Sequence, residues 1–175
     1  MMNRIEIRGR PLVEGMLEEA SEWDLTVLKA LLRYQYGAGA EEVLGGPVAV
    51  ERSERTGRMR HVYVGGKMVA TIRASDGFLV LTLEGARLML SALPPPRARV
   101  IAHPEAVPFV ARGRSLFAKH VVDADDEIRA GDEVIVVDRE DRLVAVGRAV
   151  LSGWEMKELK RGVAVRIRRG VAEED

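Results

Sequence analysis

Three groups of basic residues form the clearest chemical pattern in this sequence. Arg58, Arg60, Lys67 and Arg73 flank a Gly65-Gly66 pair, while Arg112, Arg114 and Lys119 alternate with apolar Leu116 and Phe117. The run KELKRGVAVRIRR contains Lys160, Arg161, Arg166 and Arg168, with six basic residues and one acidic residue in all. Arginine suits phosphate because its planar fork donates two parallel hydrogen bonds to one oxyanion. The alternative for each group is an ion-pair network with the abundant Asp and Glu, as in proteins from hot environments. Three groups together favour a phosphate-rich partner, RNA above all. Phe109, Phe117 and Trp154 could stack on bases, but in a chain with 5% aromatics they are expected mainly in the core.

Other chemistries lack their residues. His61, His103 and His120 are far apart, show no i, i+4 pairing and have no Cys to supplement them, so no metal site is expected. No third glycine follows Gly37 and Gly39 at the dinucleotide spacing, and neither a Gly-Lys-Ser/Thr loop nor a Gly-x-Ser-x-Gly elbow occurs. The carboxylates concentrate in hydrophilic runs such as DADDEIRAGDE and DREDR, where solvation explains them. Without an enclosed, oriented nucleophile or base, the expectation is no catalytic residue and no cofactor.

Composition narrows the setting. The chain has 175 residues, 47% of them hydrophobic and 31% charged, with 27 basic and 27 acidic groups, so it can bury a core and is not a polycation. The longest uncharged stretch, Leu88 to Pro96, is far short of the roughly 20 residues a membrane span needs. The charged N-terminus does not resemble a secretory signal, and the cytoplasm is the expected location. One Asn, one Gln and no Cys, beside 22 Arg and 5 Lys, suggest a thermophilic source.

The elements that would carry the basic groups read as an α+β fold. Leu93-Pro94-Pro95-Pro96 stops a helix and stiffens the backbone, dividing the chain into residues 1–96 and 97–175. In the first part Val13, Met16, Leu17, Ala20, Trp23, Val27 and Leu31 recur at three and four residues, predicting one buried helical face, with Asp24 capping a second helix after a break at Ser21. RMRHVYV and KMVATIR form a hairpin around Gly65-Gly66. Unbroken register would set Arg60 opposite Thr71 and Arg58 opposite Arg73, gathering Arg58, Arg60, Lys67 and Arg73 on one face. A short strand from Phe78 to Leu83 and a helix from Glu84 to Ala92 follow. The second part reads as a small, partly closed β barrel of strands 99–102, 115–122, 133–138, 143–151 and 162–168, with a helix near 154–159.

The run GRSLFAKH to VRIRRG, residues 113–170, resembles a PUA domain, the RNA-binding module named for pseudouridine synthases and archaeosine transglycosylases. Its marks are Gly131-Asp132 within Ile128 to Val134, the Ala145-Val146-Gly147 turn and the closing Gly162-Val163-Ala164-Val165 strand. Upstream, YQYGAGAEEVL, VERSERTGRMRHVYVGG and ATIRASDGFLVLTLEGARLML resemble the C-terminal region of the archaeal tRNA-guanine transglycosylase that starts archaeosine synthesis. The resemblance covers about Leu25 to Gly170.

That likeness implies a small α+β domain preceding the barrel, both engaging tRNA, with the PUA module on the acceptor stem. It places the 115–122 strand, the Gly131 turn, Arg166 and Arg168 on the RNA surface. Lys119-His120 replaces the Pro-Gly of many PUA domains, which implies side-chain contacts there. The family's barrel, with its catalytic aspartates and Cys-rich zinc site, has no counterpart in these residues. The chain is therefore expected to bind RNA without catalysis, as an accessory subunit to a separate catalytic subunit of a tRNA-modification enzyme. The alternative is a protein–protein assembly module in translation or ribosome maturation.

Overall fold

The structure is a computed structural model that describes residues 17–174. The described residues divide into two compact units, parted after Gly85. In the first, strand β1 (Leu17–Glu19) precedes helix α1 (Glu22–Tyr36), a 3-10 turn at Ala40–Leu44 and strands β2 (Val48–Arg52), β3 (Met59–Val64), β4 (Lys67–Ile72) and β5 (Leu79–Leu81). The strands form an antiparallel sheet in the order β1-β2-β3-β4-β5. Leu28 and Leu32 of α1 meet Val43, Val62, Val69, Leu79 and Leu81, so the helix covers one sheet face.

The helix does not bury the row its sequence suggested. Its inward side chains are Asp24, Leu28, Leu32 and Tyr36, spaced by four, whereas Trp23 is 73% exposed and Leu17 belongs to β1. Val13 and Met16 lie outside the described residues. Ser21, not Asp24, is the cap: its hydroxyl accepts from the Asp24 N–H while the Asp24 carboxylate accepts from the Ser21 N–H. That carboxylate also accepts from Arg52 on β2 at 2.7 Å, tying helix to sheet, and Arg52 donates to Glu18 on β1 as well. Near the C-terminal end of α1, Gln35 donates to the Leu79 carbonyl at 3.0 Å and accepts from the Leu79 N–H at 2.8 Å.

The hairpin forms around Gly65-Gly66, both at positive φ, 57° and 81°, which only glycine adopts without cost. Its register departs from the simple one. Val64 faces Lys67 and Tyr63 faces Met68, but Val62 faces Ala70, leaving Val69 as a bulge. The bulge lets Val69 and Ala70 both sink below 4% exposure and sets His61, not Arg60, opposite Thr71. Arg58 and Arg73 belong instead to separate turns: the Arg58 carbonyl accepts from Ser53 and the Arg73 N–H donates to Phe78. The expected like-charge pair between them does not form.

Helix α2 (Leu83–Ala92) begins in the first unit and runs into the second, which continues with strand β6 (Arg99–Ala102), helix α3 (Val107–Val110) and strands β7 (Leu116–Phe117), β8 (Val121–Ala124), β9 (Glu133–Val137) and β10 (Leu143–Ala149). Helix α4 (Gly153–Glu158), strand β11 (Val163–Gly170) and a 3-10 turn at Val171–Glu173 follow. The sheet order is β7-β11-β10-β9-β6-β8, with only β6 and β9 parallel. The single expected strand at 115–122 is thus two strands split by a 3-10 turn at Ala118–His120. Because β7 and β8 are the two edges of the sheet yet are joined by this short turn, the sheet must curl until its edges approach: a nearly closed barrel. Leu116, Val134, Val136, Ala145, Ala164 and Val165 fill its interior with Met156 of α4.

Arg99 is the most deeply buried charged side chain among the described residues, at 2% exposure. It bonds Asp141 at 2.6 Å and the Leu90 and Arg97 carbonyls at 3.0 and 2.9 Å. The guanidinium can stay inside because all three of its nitrogens donate to protein oxygens, one of them a carboxylate.

Candidate nucleic-acid interface

Strand β11 lies between β7 and β10 and brings two basic groups together. Phe117 of β7 faces Val163, and the Ala118 N–H donates to the Gly162 carbonyl at 2.9 Å, so Lys119 approaches the Lys160-Arg161 turn. The 112–114 loop is held against the other end of β11, where Ala172 N–H donates to the Ala111 carbonyl at 2.9 Å. The Arg112 and Arg114 N–H groups both donate to the Phe109 carbonyl at 3.1 Å, folding the loop around that residue. Arg112, Arg114, Lys119, Lys160, Arg161 and Arg166 are exposed, and their side chains form no ion pair among the described residues.

Across the seam with β10, Arg166 stands directly opposite Arg148, which in turn stands opposite Glu133 of β9. Arg148 Nε donates to the Gly131 carbonyl at 3.2 Å, which places the Gly131 turn beside this row. Arg168 sits at a bulge in β11 and reaches Glu133 with both nitrogens of its fork, at 2.5 and 3.0 Å. Arg168 is therefore engaged by an acid, unlike Arg166. Lys157 is engaged too, its pKa raised chiefly by the hydrogen bond from its ammonium group to Asp126. His120 is half-buried and contributes its carbonyl to the His103 N–H at 2.7 Å.

In the first unit Arg58 and Arg60 are exposed, and neither forms a side-chain ion pair among the described residues. Lys67 contacts Glu84 at 3.3 Å and Arg73 contacts Asp76 at 2.9 Å, so half of that expected group is neutralised. Close by, the Glu51 carboxylate accepts from His61 at 2.8 Å and Tyr63 at 3.1 Å. Burial, with the hydrogen bond to Glu51, pushes the Tyr63 hydroxyl up to about 12.

Two findings were not expected from sequence. Phe109, Phe117 and Trp154 are 57%, 46% and 62% exposed, not core. Arg148 had no place in the expected set, although it is the one charged residue within LVAVGRAVL, a signal that an outward position interrupts an apolar strand. Among the described residues no group of three or more His, Cys, Asp or Glu could hold a metal ion, and no helix is long and apolar enough to cross a membrane.

Residues 98–171 match the PUA domain family, and residues 26–96 match the patch-forming domain C2 of tRNA-guanine transglycosylase. Residues 98–171 are a PUA domain. The chain is 42% identical over 149 residues to the tRNA-guanine(15) transglycosylase of Methanobrevibacter smithii, covering 85% of this chain and 23% of that protein. It is 48% identical over 142 residues to the enzyme of the same name from Thermococcus kodakarensis, covering 81% and 24%. The chain thus spans about a quarter of the length of these relatives. A hypothetical protein from the hyperthermophilic archaeon Pyrococcus horikoshii has a similar structure, with TM-score 0.72, 27% identity, and 89% of this chain and 94% of that chain covered. A conserved PUA domain protein from Thermoplasma acidophilum gives TM-score 0.65 at 26% identity, covering 88% and 93%.

Proposed function

We propose that this protein binds RNA without catalysing a reaction on it. The RNA is folded tRNA, held at its acceptor stem by the PUA domain and elsewhere by the first domain. The observation that carries this is the set of exposed basic side chains along β11 and its neighbours, Arg112, Arg114, Lys119, Lys160, Arg161 and Arg166, left without acids among the described residues. A neutral chain that leaves this many cations unpaired on one barrel keeps them for an outside anion. Arg58 and Arg60 extend the same chemistry to the first domain, and Phe109 and Phe117 offer exposed rings for an unpaired base. Because A-form RNA hides its base edges in a deep groove, such a surface reads shape, phosphates and 2′-hydroxyls.

The kinship with tRNA-guanine(15) transglycosylases supports an accessory role beside a separately encoded catalytic subunit in the cytoplasm. The ends of the two matched segments support a domain boundary at Pro96, giving 1–96 and 97–175. Filter binding of tRNA across a salt series tests the function. With five to eight phosphates engaged, log K should fall against log salt with a slope of about −4 to −7. A flat response overturns the electrostatic grip. Pull-down of a stoichiometric modification enzyme from native extract tests the accessory role.

A second function, protein assembly, has exposed Trp154 and Leu159 in its favour, at 62% and 44%. Complexes that survive nuclease treatment would select it.

A further inference from the structure

The row across β11, β10 and β9 holds three arginines and one carboxylate, and the way they are shared out leaves a defined vacancy of charge. Glu133 is buried, and Arg168 reaches both of its oxygens with a single fork. Arg148, although directly opposite Glu133, turns to the Gly131 carbonyl instead. Arg166 has no acid among the described residues, and its opposite neighbour is Arg148. Directly opposite positions on antiparallel strands put Cβ atoms about 4.5–5.5 Å apart and send both side chains to the same face, and like charges so placed repel. In the adjoining turn Asp132 accepts from the Arg129 N–H at 2.8 Å and forms no ion pair with either arginine among the described residues.

We propose that Arg148 and Arg166 together grip one phosphate group of the bound RNA, beside the Gly131 turn. This deepens the RNA-binding function above and rests on it. Two guanidinium groups on one face reach the same oxyanion. A nucleic-acid phosphate projects two charged non-bridging oxygens outward from a tetrahedral centre, so each fork can take a different oxygen, and a terminal phosphate adds a third. The Gly131 carbonyl, by holding Arg148 Nε, fixes that guanidinium while leaving its terminal nitrogens for the ligand.

The experiment measures tRNA affinity of the full chain across a salt series for the wild type, Arg148→Gln, Arg166→Gln and the double variant. Each single change should weaken binding about 3- to 10-fold at low salt. The double variant should lower the salt slope by about one phosphate's worth, 0.7–0.9, and not by two. The free protein's melting temperature should be unchanged or higher, since the changes relieve repulsion and leave Arg168 and Glu133 intact. Transcripts with a 5′-phosphate and with a 5′-hydroxyl separate the two sources of the group. Loss of the variants' effect on the 5′-hydroxyl RNA assigns the terminal phosphate, and an equal effect on both assigns an internal phosphodiester. Variants that bind like a binding wild type, or a slope that drops by two, overturn the shared site while RNA binding stands. A fall in melting temperature that matches the affinity loss also overturns it, by assigning a structural role. A wild type that binds neither RNA overturns both.

Discussion

Arg166 and Arg168 are two residues apart on one strand and both exposed, yet they do different work. Arg168 closes a bidentate pair with the buried carboxylate of Glu133, and its removal strands that charge. Arg168→Ala should cost about 1–3 kcal/mol in urea unfolding, whereas Arg166→Ala should stay within about 0.5 kcal/mol. A period-two strand pattern gives Arg166 and Arg168 the same face and cannot separate them, because the distinction depends on a carboxylate two strands away. Asp24 supplies a second residue-scale test. Burial pushes its pKa up, but hydrogen bonds from Arg52 and Ser21 outweigh this and hold the carboxyl below its ordinary value. Its folded pKa is depressed, so its contribution is complete above the unfolded value of about 3.9 and is lost as pH falls from there through the folded pKa. Urea midpoints measured from pH 6 to pH 2 should drop through that window, and Asp24→Asn should flatten the drop.

At the level of strands and helices, the second half of the chain was the more readable. Strands β9, β10 and β11 begin within one residue of their expected positions, because valine-rich runs bounded by charged turns have few other solutions. The 115–122 run failed because closing the barrel demands a corner, and Ala118, buried at 3% exposure, gives no local sign of one. The β1 to α1 region failed because apolar residues happened to recur at helical spacing through a strand and a capped start. The bulge at Val69 was equally hidden: one extra residue leaves alternation on either side intact while shifting which arginines meet. Two glycine substitutions probe these elements. Gly65→Val meets no neighbour within 4 Å but forces a φ of +57°, and should cost about 1–2 kcal/mol. Gly147→Ala would set a Cβ 2.4 Å from the Arg166 carbonyl, prising β10 from β11. It should destabilise more than Gly65→Val in thermal melts and weaken RNA binding as well.

For the molecule as a whole, zero net charge conceals a surface whose cations are unevenly committed. Arg58 and Arg60 lie in one compact unit and Arg112 and Arg114 in the other. Replacing each pair with Gln should therefore lower the salt slope of tRNA binding by amounts that add in the quadruple variant. A quadruple variant no weaker than one of the doubles would show that the pair left intact in that double makes no contact. Gln35 carries a different consequence for the intact chain. Its amide pairs with both backbone groups of Leu79 in outermost β5, as a neighbouring strand would, so the chain's single glutamine acts as a false partner that denies β5 to any stranger. The barrel's own edges, β7 and β8, are only two and four residues long and offer a stranger little backbone to pair with. Gln35→Ala would reopen a ready template, and concentrated solutions of that variant should cloud and seed fibrils where the native protein stays clear.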